Sequence, residues 1–87
     1  MLKKVLKVGG EYKLNELSVG NEAEVLNVDG NNKLLLRRLF DLGITKRVKL
    51  QVKRVAPLGG VVSFKIRGYE LAIRDNELKN IIVRLIK

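Results

Sequence analysis

The side chains best suited to chemistry in this sequence are its cations, because the usual catalytic groups are missing. The chain has 18 Lys and Arg residues but contains neither cysteine nor histidine. This composition excludes Cys/His nucleophile pairs, Ser-His-Asp triads and metal cages built from thiolate and imidazole. We therefore expect a protein that is not an enzyme and that acts by recognising a partner.

Two adjacent arginines, Arg37 and Arg38, lie in a leucine-rich segment that has helical spacing. Arginine presents a planar fork of donors that matches a carboxylate, so this pair could dock on an acidic patch. A solvated helix face without a binding role is the alternative. Further along, alternation places Lys65, Arg67 and Arg74 on one face of a predicted hairpin.

Positive charge is concentrated in the second part of the chain. Residues 1–30 carry four lysines and five acidic residues, whereas residues 31–87 carry fourteen Lys and Arg residues and four acidic ones. This asymmetry predicts a basic face that would attract nucleic acid, an acidic protein surface or anionic lipid headgroups.

We expect no resident metal and no cofactor, because the candidate oxygen ligands are too scattered for a cage: Glu22, Glu24, Asp29, Asp41, Glu70, Asp75 and Glu77.

Apolar candidates for partner binding occur in a loop and at the end of the predicted helix. In the loop, Pro57 and Leu58 would offer a rigid apolar tip for a partner to bury, unless Leu58 folds back over the domain. In the helix, Leu42 could line a cleft together with Leu39 and Phe40, although residues at this spacing usually belong to the core.

Alternating apolar residues predict five strands that position these side chains, near residues 22–28, 48–53, 62–67, 69–74 and 81–86. After the first strand we expect a helix with Asn31 or Asn32 as its N-cap and Gly43 as its left-handed C-cap. The predicted buried face of this helix contains five apolar residues: Leu35, Leu36, Leu39, Phe40 and Leu42. Turns are expected at Gly30, Gly59 and Gly68, and residues 75–80 predict one helical turn.

Five short strands, one inserted helix and a helical turn before the last strand predict a small, mostly-β, partly open barrel. Residues 1–10 lack a clear period and end in two glycines, so we expect a flexible N-terminal arm followed by one domain over residues 11–87. The sequence has neither the apolar run of a signal peptide nor the roughly 20 apolar residues of a membrane span. A cytoplasmic location is the expectation.

Three motifs, in order and at matching spacing, resemble the ferrous iron transport protein A (FeoA) family. Arg38–Ile44 resembles the family's R-L-x-D-L-G-[LI], Ala56–Gly59 its A-P-L-G loop, and Ile66–Arg74 its [VI]-R-G-[YF]-x-[LI]-[AS]-[LI]-R hairpin. The resemblance extends from about Leu14 to Val83. It departs from the family at two turns, where Lys46-Arg47 replaces a Pro-Gly-like pair and Gly60-Val61 replaces Asp-Pro.

This resemblance implies an SH3-like barrel and a small cytoplasmic accessory protein of ferrous iron uptake. Its implied partner is the FeoB-type membrane transporter, whose cytosolic part is a GTPase, so the protein would be peripheral to the membrane through that partner. Modulation of the GTPase or of transporter assembly is the implied role. Residues expected to contact the partner are Arg37, Arg38, Leu42, Pro57, Leu58, Lys65, Arg67 and Arg74.

Two other functions compete with the accessory role. A nucleic-acid-binding barrel would use the basic second part of the chain, because phosphates reward Lys and Arg with counterion release. Against it, the sequence has only four aromatic residues for base stacking, and both Phe40 and Phe64 are expected to be buried. Weak self-association is the other alternative, through the apolar loop together with Ile82 and Ile86 on the last strand.

Overall fold

The computed structural model describes residues 5–30 and 33–87, so the start of the predicted arm and the predicted N-caps Asn31 and Asn32 lie outside the described residues. The elements in order are β1 (Glu11–Lys13), a 3₁₀ turn (Leu14–Glu16), β2 (Glu22–Val28), α1 (Lys33–Asp41), β3 (Lys49–Val55), β4 (Val61–Ile66), β5 (Tyr69–Arg74), α2 (Asp75–Leu78) and β6 (Ile81–Leu85). Neither helix in these ranges is long and apolar enough to cross a membrane.

The strands pair antiparallel in one sheet with the order β1-β6-β2-β3-β4-β5. The mostly-β prediction is confirmed, with six strands across the described ranges instead of five. The additional strand is β1, where Tyr12 lies opposite Val83 of β6. Three residues are too few to show alternation, so only the pairing with β6 defines this strand. As a consequence, α1 follows the second strand and not the first.

Two bulges bend the sheet so that it curls around one core. One shifts the β2–β6 register between Val25 and Asn27, and the other shifts the β3–β4 register between Val52 and Arg54. Bulges increase local twist and bend the strand that carries them. The enclosed core is aliphatic apart from Phe64, which is fully buried as the sequence predicted.

The last residues of the predicted N-terminal arm, Gly9 and Gly10, are hydrogen-bonded to the barrel. The Gly9 N–H donates to the Leu85 carbonyl oxygen at 2.8 Å, and the Leu85 N–H donates to the Gly10 carbonyl oxygen at 3.0 Å. Leu6 is partly buried against the core. The described part of the arm therefore lies against the end of β6.

Helix α1 buries a narrower face than the sequence predicted. Leu39 is fully buried, but Leu36 is 48% and Phe40 66% exposed. Leu35 and Leu42 are partly buried against the core. The prediction that Leu36 and Phe40 belong to the buried face is therefore wrong, because the barrel covers only one side of this nine-residue helix.

Candidate partner-binding surface

The eight residues predicted to contact a partner lie in three separate regions of the molecule. Arg37, Arg38 and Leu42 belong to α1 and its C-terminal end, Pro57 and Leu58 to the β3–β4 loop, and Lys65, Arg67 and Arg74 to the β4–β5 hairpin. Seven of them are exposed, and Leu42 is partly buried. They therefore form three separate surfaces, and the side chains of each surface make different contacts within the protein.

The C-terminal end of α1 is fixed by a glycine and by a tyrosine from β5. Gly43 has φ +91°, its N–H donates to Phe40 O at 3.0 Å, and the Ile44 N–H donates to Leu39 O at 2.9 Å. This pair of bonds is a Schellman motif, which requires the left-handed residue that the sequence predicted here. The Tyr69 hydroxyl also donates to the Leu42 carbonyl at 2.6 Å, which ties the helix end to β5.

Arg38 is joined to the barrel by an ion pair with Glu77 of α2. Its Nη1 donates to Glu77 Oε2, and the Arg74 N–H donates to Glu77 Oε1 at 3.4 Å. The Glu77 side chain is 11% exposed and that of Arg38 49%. Among the described residues, Glu77 is the buried charged residue, and Arg38 supplies its counter-charge. Arg38 therefore holds α1 against α2, which restricts its use as a docking residue.

Among the scattered acidic residues of the sequence, Glu77 has a structural role that spacing did not reveal. The available signal was its position, three residues after Arg74 at the start of a short helical turn, where a glutamate can accept a bond from the backbone of the N-cap. Its partner lies 39 residues earlier in the sequence. That distance explains why periodicity alone does not connect Arg38 with Glu77.

We call the exposed side of α1 its outer face, defined by Lys33, Leu36, Arg37, Phe40 and Asp41. These side chains line a shallow depression of about 430 Å³. Leu36 and Phe40 are four residues apart and therefore neighbours on the helix surface, as are Lys33 and Arg37. The outer face thus consists of an apolar pair beside a pair of cations, with one acid at its end.

The β3–β4 loop presents Leu58 directly to solvent. Leu58 is fully exposed, so it does not fold back over the barrel. The base of the loop is fixed by Gly60, whose N–H donates to Asp75 Oδ2 at 3.2 Å and whose carbonyl accepts from the Asp75 N–H at 2.9 Å. The end of this loop is therefore held against α2, while Leu58 at its apolar tip is exposed.

The β4–β5 hairpin turns through Arg67 and Gly68, which have φ values of +48° and +86°. Two positive φ values between the paired residues Ile66 and Tyr69 define a type I′ turn. Gly30 and Gly59, the other predicted turn glycines, also have positive φ. Lys65 and Arg74 lie on one face of the hairpin but at its opposite ends.

The solvent-exposed side of the sheet is not uniformly basic, because residues of opposite charge lie opposite each other on neighbouring strands. Glu11 lies opposite Arg84, Arg84 opposite Glu24, and Glu24 opposite Lys49. Lys65 likewise lies opposite Glu70. These pairings divide the predicted basic face into smaller groups of cations, and Lys33 and Arg37 on α1 form a further pair.

Ile82 and Ile86, the candidates for self-association, are both partly buried. Strand β6 is hydrogen-bonded to β1 on one side and to β2 on the other. Between Ile82 and Arg84 it therefore offers no free edge to a second copy. Within residues 5–30 and 33–87, no three acidic side chains are grouped closely enough to hold a metal ion.

These features define a small, partly open β-barrel with helix α1 fixed on its surface. A family model described as the FeoA domain matches residues 12–85, and the chain belongs to that family. The family predicted from the three sequence motifs is thus confirmed, and this family is associated with ferrous iron transport.

Solved FeoA structures share the fold. The solution structure of FeoA from Chlorobium tepidum is 39% identical with a TM-score of 0.80, and the match covers 87% of this chain and 71% of that one. A zinc complex of Stenotrophomonas maltophilia FeoA, described as a procaryotic SH3 domain protein, is 27% identical with a TM-score of 0.69, covering 80% and 86% of the two chains. The SH3-like fold class is thereby confirmed.

A third relative combines this domain with a transporter. It is an Fe(2+) transport protein A/Fe(2+) transporter FeoB fusion protein from Porphyromonas gingivalis, 28% identical over 74 residues. The match covers 85% of this chain but only 9% of that relative's length. The 87-residue sequence therefore corresponds to only a small part of the fusion protein.

Proposed function

We propose that this protein is a non-catalytic, cytoplasmic accessory of ferrous iron uptake that binds the cytosolic part of a FeoB-type transporter. In this role it modulates the GTPase or the assembly state of the transporter. The observation that carries the proposal is the P. gingivalis fusion, in which the same domain and a FeoB transporter form one chain. Such a fusion gives the two modules a high effective concentration for each other.

The charge of the protein supports a transient contact with an acidic surface. The net charge is +9, and the exposed cations are distributed in small groups. Complementary charge mainly increases the association rate and orients the partners, and it weakens as salt shortens the Debye length to about 8 Å at physiological ionic strength. We therefore expect salt-sensitive binding with fast association.

Deletion of the gene tests the proposal in cells, with uptake of radiolabelled ferrous iron as the readout. We expect uptake to fall in the deletion strain and to recover when the 87-residue chain is supplied from a plasmid. A matched strain that expresses a Phe64→Asp variant, which places a charge in the core, should not recover. Unchanged uptake after deletion would contradict an accessory role.

Nucleic-acid binding remains a second candidate because Phe40, predicted to be buried, is 66% exposed beside two cations. An exposed aromatic ring next to Lys and Arg is the arrangement on which single-stranded bases stack. Fluorescence anisotropy with a 20-nucleotide strand measures this directly over a range of salt. A linear fall of the logarithm of the association constant with the logarithm of the salt concentration would favour this candidate. Absence of binding at micromolar protein concentration would exclude it.

A further inference from the structure

The outer face of α1 combines features that mark an interaction site. Leu36 and Phe40 are 48% and 66% exposed, so the barrel covers neither side chain completely. An apolar patch that is rimmed by polar residues is typical of a protein interface. Here the rim consists of Lys33, Arg37 and Asp41.

The helix beneath this patch is held in place at several points. Leu39 is fully buried, Arg38 is paired with Glu77, and Tyr69 caps the carbonyl at the C-terminal end. Leu36 and Phe40 therefore project from a fixed support, so a partner that binds them has little backbone to order. Low ordering cost favours affinity from a small contact.

The chemistry of the face restricts what can bind. An α-helix uses its backbone donors and acceptors internally, so recognition has to come from side chains, unlike the addition of a strand to a sheet edge. The two cations, one helical turn apart, select carboxylates on the partner. The shallow depression that Leu36 and Phe40 line beside these cations suits an apolar side chain close to those carboxylates.

We propose that the outer face of α1 docks an acidic amphipathic helix of the transporter's cytosolic part. An apolar residue of that helix enters the depression beside Leu36 and Phe40, and its carboxylates meet Lys33 and Arg37. The proposal rests on the proposed function and adds the surface and the chemistry of the partner segment. Arg38, although next to Arg37 in sequence, contributes through its hold on Glu77.

The test uses the full chain and the purified cytosolic part of the transporter from the same source, with affinity measured by biolayer interferometry. Phe40→Ser should weaken binding about 10- to 100-fold, the loss expected when a buried aromatic contact is removed. Val19→Ser, which alters a 59% exposed apolar residue in the turn before β2, should leave affinity within about twofold. Thermal melts of both variants should match the parent, because neither side chain is buried.

Charge reversal tests the acidic character of the partner. Arg37→Glu should weaken binding and flatten its salt dependence, whereas Lys53→Glu, at an exposed position on β3, should have little effect. If both variants weaken binding equally, the contact depends on overall charge and the proposed surface is wrong. If Leu58→Ser abolishes binding and Phe40→Ser does not, the docking surface is the β3–β4 loop.

The outcomes separate this proposal from the proposed function. Normal binding by Phe40→Ser and Leu36→Ser would overturn the docking site while leaving the accessory role intact. No binding by the parent chain would overturn both. Flotation with vesicles of phosphatidylglycerol that depends on Phe40, combined with transporter binding that does not, would identify the outer face of α1 as a lipid-binding surface and overturn the proposal.

Discussion

Replacing Arg38 by methionine should destabilise the fold measurably, because it leaves the Glu77 carboxylate without its counter-charge. Charge-assisted hydrogen bonds contribute about 1.5–3 kcal/mol, whereas exposed ion pairs contribute about 0–1 kcal/mol. The Glu77 side chain is 11% exposed, but that of Arg38 is 49% exposed, so solvent screens part of the interaction. We therefore expect a loss of about 1–2 kcal/mol in the free energy of unfolding.

Urea unfolding followed by circular dichroism measures this loss, with Arg37→Met as the control on the same helix. Arg37 is exposed, so its substitution should cost less than about 0.5 kcal/mol. The melting temperature of Arg38→Met should fall by about 4–16 °C for a domain of this size. Adding Glu77→Gln completes a double-mutant cycle, for which we expect a coupling energy of about 1 kcal/mol. A coupling energy below about 0.3 kcal/mol would refute the structural role of this pair.

Three further substitutions test local geometry by the same unfolding measurement. Gly43→Ala should lower the free energy of unfolding by about 2–3 kcal/mol, because φ is +91° and the added Cβ would lie 2.6 Å from Tyr69 Oη. A smaller loss than that caused by Tyr69→Phe would contradict this prediction. Tyr69→Phe should itself cost about 0.5–1.5 kcal/mol through its lost bond to Leu42. Arg47→Gly should stabilise the fold by about 0.5–1 kcal/mol, because Arg47 has φ +70°, and a destabilised variant would be inconsistent with that strain.

The sequence predicted most of the barrel because its strands have one buried and one exposed face. Alternation identified β2 to β6, and the Leu-rich segment ending in Gly43 identified α1. Strand β1 could not be found in this way, since its three residues are defined by pairing with β6 at the far end of the chain. Long-range pairing is a property of the folded sheet and leaves no local period.

The candidate site was predicted less completely, for a related reason. Helical spacing shows which residues share a side of α1, but it does not show how wide a side the barrel covers. Leu36 and Phe40 fit the apolar stripe and still face solvent. Likewise, Arg37 and Arg38 are equivalent in sequence, and only the position of Glu77 separates a structural arginine from an exposed one.

Titration of the purified 87-residue chain into the purified cytosolic part of the FeoB-type transporter from the same source tests the accessory role most directly. Isothermal titration calorimetry at physiological salt should show saturable binding that weakens as salt is raised, and the GTPase rate measured alongside should change with occupancy. Absence of heat, with an unchanged GTPase rate at protein concentrations of hundreds of micromolar, would contradict the account.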